Sequence, residues 1–123
     1  MIALAVALVA IRRGNMNSSV ATLVALNEGF RQAWQRFLLA LSTHNDTDQQ
    51  YELSELMNLL EIASAIYIER SLAGVSRELM AAYLDRSLRL LRDNENTSKR
   101  VAAMRDTPNT FKYIQKYVQS RRL

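Results

Sequence analysis

Residues 56–68 read "LMNLLEIASAIYI", an apolar run interrupted only by Asn58, Glu61 and Ser64. At about 100° per residue, its apolar positions cover more than one side of a helix. The least apolar strip of that helix is the line of Ser54, Asn58, Glu61 and Ala65. The run predicts a central helix, over about Gln50 to Leu72, touched by several neighbours. Three glycines and one proline in 123 residues leave few breakers. Ala, Leu, Arg, Glu, Gln and Met are plentiful and favour helix. The expected fold class is therefore all-α, a small bundle of five or six helices in one domain.

Working outward, the preceding helix is expected from Ser18 or Ser19 to about Leu41. Its apolar face would hold Val20, Leu23, Val24, Phe30, Trp34, Phe37, Leu38 and Leu41, which recur at steps of three and four. Glu28, Arg31, Gln32, Gln35 and Arg36 fall mostly opposite. "STHNDTDQQ", residues 42–50, reads as a polar loop. Beyond the central helix, Gly74 suits a C-cap, and Ser76 would cap a helix to about Arg92. Leu79, Met80, Tyr83, Leu84, Leu88 and Leu91 would face inward. "DNENTS" reads as a polar turn before a short helix over about Ser98 to Arg105. Pro108 would break that helix, since the residue before a proline avoids helical angles. Asn109 would then cap a closing helix with Phe111, Ile114, Tyr117 and Val118 turned inward.

The chain opens "MIALAVALVAIRRGN", eleven uncharged residues closed by Arg12 and Arg13. As a helix this run spans about 16 Å, whereas a bilayer core needs about 30 Å. No positive charge precedes it, so a secretory signal fits poorly. Arginines at its C-terminal end place the rest of the chain on the cytoplasmic side. The expected layout is an apolar, membrane-proximal segment at 1–13 and a cytoplasmic helical domain at 18–123. The expected location is the inner membrane, with the run as the end of a longer anchor or as a short interfacial helix. The rival reading packs it on its own domain or on a second subunit.

Charge is uneven along the chain. From Gly14 to Ser98, seven basic residues face eleven acidic ones, a net of −4. From Lys99 to Leu123, seven basic residues face Asp106 alone, a net of +6. Such asymmetry points the closing fifth at an anionic partner: phosphates, lipid headgroups or an acidic protein face. The rival reading is a solvated basic tail.

Signals for catalysis are scarce. His44 stands alone in a polar loop, cysteine is absent, and no glycine-rich phosphate loop exists. No enzyme activity and no cofactor are expected. Glu61, inside an apolar run, would be costly to bury unpaired. It reads as a buried ion pair or ligand contact, as a bridge to Arg86 or Arg89, or as plain exposure. Arg86, Arg89 and Arg92, spaced by three, read as a loose basic edge with acids nearby.

The closing helix carries the strongest binding signal. Lys112, Lys116 and Gln119 share one side, with Phe111, Ile114 and Val118 opposite and Tyr113 and Tyr117 at the flank. Lysines beside stackable rings suit a nucleotide or single strand. Rings at the border of an apolar stripe are equally ordinary core residues. The candidate anion site is Lys99, Arg100, Arg105, Lys112, Tyr113, Lys116 and Tyr117, with Arg12 and Arg13 membrane-proximal.

Three stretches carry a resemblance. "AIRRGNMNSS" resembles the exit of an N-terminal apolar helix in short bacterial proteins with a cytoplasmic helical domain of no assigned function. "LMNLLEIASAIYIERSLAGVSRELMAAYLDRSLRLL" and "RDTPNTFKYI" resemble the helices and closing segment of that domain. The resemblance covers about Ile11 to Ile114 and rests mostly on apolar positions; the apolar run here is shorter than a full anchor. The layout is also similar to that of membrane effectors in antiviral defence, some of them associated with type III CRISPR systems and responsive to cyclic oligoadenylates. That layout implies one function class, a membrane-tethered domain that binds a cyclic oligonucleotide, and identifies no binding residue here. Self-association is expected separately, because a short apolar helix and a broad apolar face on the next helix leave surface that a small monomer rarely exposes. The alternative is a small assembly subunit docking onto a larger membrane complex.

Overall fold

The central position expected for residues 56–68 is met in the computed structural model, which describes residues 16–105 and 109–123. Among the described residues five helices succeed one another: α1 (Met16–Thr43), α2 (Asp46–Ile68), α3 (Gly74–Asp93), α4 (Glu95–Met104) and α5 (Lys112–Arg121). No strand occurs among them. The apolar helix expected over 1–13, with Arg12 and Arg13, lies outside the described residues, as does Pro108.

Helix α2 packs against all four others. Leu53, Leu56, Leu60, Ala63 and Ile66 are all buried on it, from several sides. Around it Leu26, Phe30 and Phe37 of α1, Met80 and Leu84 of α3, and Ile114 and Tyr117 of α5 form one continuous core. One narrow strip stays wetter, with Tyr51 and Asn58 exposed and Ser54, Glu61 and Ala65 half-buried along the same line.

Helix α1 departs from its expected inward face. Its buried line is Ser19, Thr22, Leu26, Phe30, Ala33, Phe37 and Ala40. Val20, Val24 and Leu38, expected inside, are exposed, as is Leu39. The helix carries two neighbouring apolar strips. The buried line mixes small residues, Ser19, Thr22, Ala33 and Ala40, with Leu26, Phe30 and Phe37. A pattern weighted by large hydrophobes cannot see this. On α3, Leu79 is likewise exposed, while Ala81 and Ser87 are buried in its place.

The turns are shorter than expected. The loop at 42–50 shrinks to His44 and Asn45. His44 takes a left-handed φ of 56°, and the Asn45 side chain accepts the Asp48 N–H at 3.0 Å. Asp46 and Asp48 then sit in the first turn of α2, where the helix dipole favours negative charge. The "DNENTS" turn shrinks to Asn94, whose side chain accepts the Thr97 N–H at 3.1 Å. Gly74 does not cap α2. Arg70 takes the left-handed position there (φ 58°), with Arg70 N–H to Tyr67 O and Ser71 N–H to Ile66 O both at 3.1 Å. Gly74 opens α3 instead, at φ 57°, and Ala73 rather than Ser76 stands at the N-cap.

Candidate functional site

Helix α5 lies against α2, and its placement decides which basic residues can reach a ligand. Its N-cap residue, Phe111, is left-handed (φ 56°) and offers no side-chain acceptor. Glu61 supplies one from α2. Its two carboxylate oxygens accept the N–H of Ile114 at 2.8 Å and of Tyr113 at 3.2 Å. Two otherwise orphaned donors are thereby satisfied at the positive end of the helix dipole. Neither Arg86 nor Arg89 pairs with Glu61 among the described residues. The carboxylate that looked misplaced in an apolar run is the cap of a helix about 50 residues on.

One turn further, Tyr117 is completely buried, as its inward reading expects and against its place at the flank of the anion site. Its ring meets Tyr67 edge-on at 5.1 Å. Its hydroxyl lies 2.6 Å from Asp85 Oδ1 and 2.9 Å from Ala81 O. Arg121 grips the same carboxylate through Nη2 at 2.8 Å and Nε at 3.3 Å. Burial works against ionising Asp85, but the hydrogen bonds from Arg121 and Tyr117 outweigh it and hold its pKa below the ordinary carboxylate value. Burial, then the adjacent Asp85 charge, pushes the Tyr117 hydroxyl well above the usual phenol range.

The residues of the sequence-derived anion site do not come together in one place. Arg100 is largely buried, its side chain 15% exposed. It donates to Asp46, to Gln49 Oε1 at 2.9 Å and to Gln50 Oε1 at 3.1 Å, tying α4 to the first turn of α2. Lys99, exposed, pairs with Glu95 at 3.0 Å. Lys112 and Lys116 bracket the Tyr113 ring, their Nζ atoms 5.7 and 5.4 Å from its centroid. The Tyr113 hydroxyl donates to Glu69 at 3.2 Å, and that bond raises its pKa above the usual value. These three form an outer face of α5.

Arg105 lies elsewhere, on a cavity of about 320 Å³ between α3, α4 and α5. The floor is apolar: Met57 of α2, Leu88 and Leu91 of α3, Val101 of α4, and Ile114 and Val118 of α5. Arg89, Arg92 and Arg105 stand at the same cavity, with Ser98 and Gln115 the neutral polar groups lining it. All three arginines are exposed. Arg92 pairs with Asp93 at 3.0 Å; among the described residues no ion pair engages Arg89 or Arg105. Arg89 and Arg92 are legible in the sequence as a spaced pair but not as partners of Arg105, because only the packing of α4 on α3 brings the two helices together. Guanidinium groups stay protonated and so cannot shuttle protons, but they present a forked donor set to phosphate or carboxylate. What the arrangement can do is hold an anion.

A second apolar feature lies between α1 and α3. A groove is lined by Leu23, Val24 and Phe30 on one side and Leu79, Met80 and Tyr83 on the other. Phe30 stacks on Tyr83 at 4.4 Å, and Trp34 Nε1 donates to the Tyr83 hydroxyl at 2.7 Å. Val20, Val24, Val75 and Leu79, all more than half exposed, mark the N-terminal ends of the two helices. No protein-family model, curated protein or solved structure matches this chain.

Proposed function

We propose that this chain is a non-enzymatic helical domain that binds an anionic ligand, and that its N-terminus holds it at a membrane. The observation that carries the first part is the convergence of Arg89, Arg92 and Arg105 on one cavity, whose lining among the described residues includes no Asp or Glu side chain. That lining holds no histidine, aspartate or glutamate side chain, the usual carriers of protons in catalysis, which favours binding over chemistry.

The membrane part is supported by the exposed valines and leucine at the N-terminal ends of α1 and α3. They lie at the end of the bundle from which the chain leads back to Arg13. No helix among the described residues is long and apolar enough to cross a membrane, so this contact rests on residues before Met16 or on a surface. The same apolar end favours a second reading, an assembly subunit that docks onto a larger membrane complex. Detergent extraction followed by sizing separates the two, with a homo-oligomer expected for the first and a stable hetero-complex for the second.

Calorimetric titration with inorganic phosphate tests the anion site, and a parallel titration with cyclic oligoadenylates tests the nucleotide version of it. Loss of binding in Arg89→Glu and Arg105→Glu, with Lys112→Glu and Lys116→Glu unchanged, is the expected result. The reverse pattern would move the site to the outer face of α5 and favour stacking on Tyr113. No binding of any anion would sink the proposal.

A further inference from the structure

The cavity at Arg89, Arg92 and Arg105 is only shallowly polar. Apart from the three arginines its lining is mostly apolar, Met57, Leu88, Val101, Ile114 and Val118 among it, with Ser98 and Gln115 as neutral hydrogen-bonding side chains. A bare phosphate would satisfy the arginines and leave that apolar floor wasted. A cyclic oligonucleotide carries several polar bases and exceeds a space of about 320 Å³, which is near the small end of ligand pockets. The complementary shape is one charged group followed by a slim apolar body.

Resting on the anion-binding reading above, we infer that the cavity takes a single-chain anionic amphiphile: an alkyl chain ended by a phosphate or carboxylate. The head group sits on the Arg89, Arg92 and Arg105 guanidiniums, which pair either anion through parallel N–H donors. The chain lies along the aliphatic floor and displaces water that finds few hydrogen-bond partners there. Such a ligand has two sources, a free fatty anion or a lysolipid drawn from a membrane, and the chemistry recognised is the same.

The test is a titration of the full chain with inorganic phosphate and with butyl, hexyl, octyl and decyl phosphate, each below its micelle concentration. Affinity is expected to tighten by about fourfold per added methylene until the cavity is full, the free energy of burying one CH₂ group. Arg105→Glu should weaken the whole series. Ser98→Trp, an exposed position on α4 at the cavity, should block the longer chains while leaving the helical content unchanged. Val101→Phe, which narrows the floor, should shorten the optimal chain and so provides a second variant if Ser98→Trp folds poorly. Phosphate binding that is sensitive to Arg105→Glu but indifferent to chain length would overturn the amphiphile and spare the anion site. Absence of both would overturn the two together. A chain-length gain that survives Arg105→Glu and Ser98→Trp would mean adsorption elsewhere, and also overturns the inference. Decanoate in solution and lysophosphatidate offered in phosphatidylcholine vesicles then identify the source, according to which one occupies the cavity.

Discussion

The Tyr117 hydroxyl and the Asp85 carboxylate lie 2.6 Å apart, joining α5 to α3 inside the bundle. Tyr117→Phe keeps the ring, its edge-on contact with Tyr67 and the packing, and removes that one bond. Hydrogen bonds to charged groups contribute about 1.5–3 kcal/mol. Arg121 still serves the carboxylate, so a loss near the lower end, about 1–2 kcal/mol, is expected in urea unfolding. Tyr117→Ala should cost about 3–5 kcal/mol, because it also opens a cavity.

The same pair shapes the pH dependence of stability. Asp85 has a folded pKa below its ordinary value of 3.8, so as pH falls the unfolded state binds the proton first. Its contribution is present above pH ~4 and is lost as pH falls through the folded pKa. Tyr117 has the opposite sign at the other end. Its folded pKa is raised above the ordinary value of 10.0, so the unfolded state loses the proton first and stability falls as pH climbs past ~10. Asp85→Asn should flatten the acid limb, and Tyr117→Phe the alkaline one, in thermal unfolding measured from about pH 2 to 11.

Glu61 tests whether α5 depends on a cap from another helix. Glu61→Ala leaves the Tyr113 and Ile114 amides without their acceptor and should cost about 1–2 kcal/mol, the range of N-cap deletions. Amide exchange at Tyr113 and Ile114 should accelerate before exchange elsewhere in α5. Glu61→Gln keeps an oxygen acceptor without the charge and should fall between the two. Equal protection in wild type and Glu61→Ala would refute the cap.

Lys99 and Arg100 are neighbours with unequal weights. Lys99→Ala removes an exposed pair with Glu95 and should change stability by no more than about 0.5 kcal/mol. Arg100→Met removes a guanidinium held by three side chains of α2 and should cost about 1–3 kcal/mol. A chemical-denaturation comparison of the two variants decides the matter. If both are silent, α4 is not anchored by Arg100.

The legible part of the linear chain rests on physics that is local in sequence. The run at 56–68 announces a central helix because its apolar positions spread beyond one face, leaving only a narrow strip through Asn58 and Glu61 less covered. Asn94 and Asn45 act as caps, yet the polar residues after each have the composition of a loop while forming the first turn of a helix. Side chains such as Thr97 and Gln49 are polar yet buried, paired to carbonyls at Leu91 and Ala40. The inward face of α1 stays hidden because Ser19, Thr22 and Ala33 carry little hydrophobic weight. Of the candidate site, Arg105 lies on the cavity and Lys112, Tyr113 and Lys116 share an outer face. Arg100 and Tyr117 cannot be separated from them by sequence, since their partners Asp46 and Asp85 stand 54 and 32 residues away.

Glu61 has one more consequence. Helix α5 spans ten residues, too short to persist alone in water. It borrows its first-turn acceptor from α2 and its inner lock from α3. It is therefore expected to form on a scaffold that has already assembled, and contacts absent when the folding barrier is crossed govern escape from the native state rather than arrival. Substitutions at this seam should shorten the lifetime of the folded chain while leaving the speed at which it folds nearly untouched.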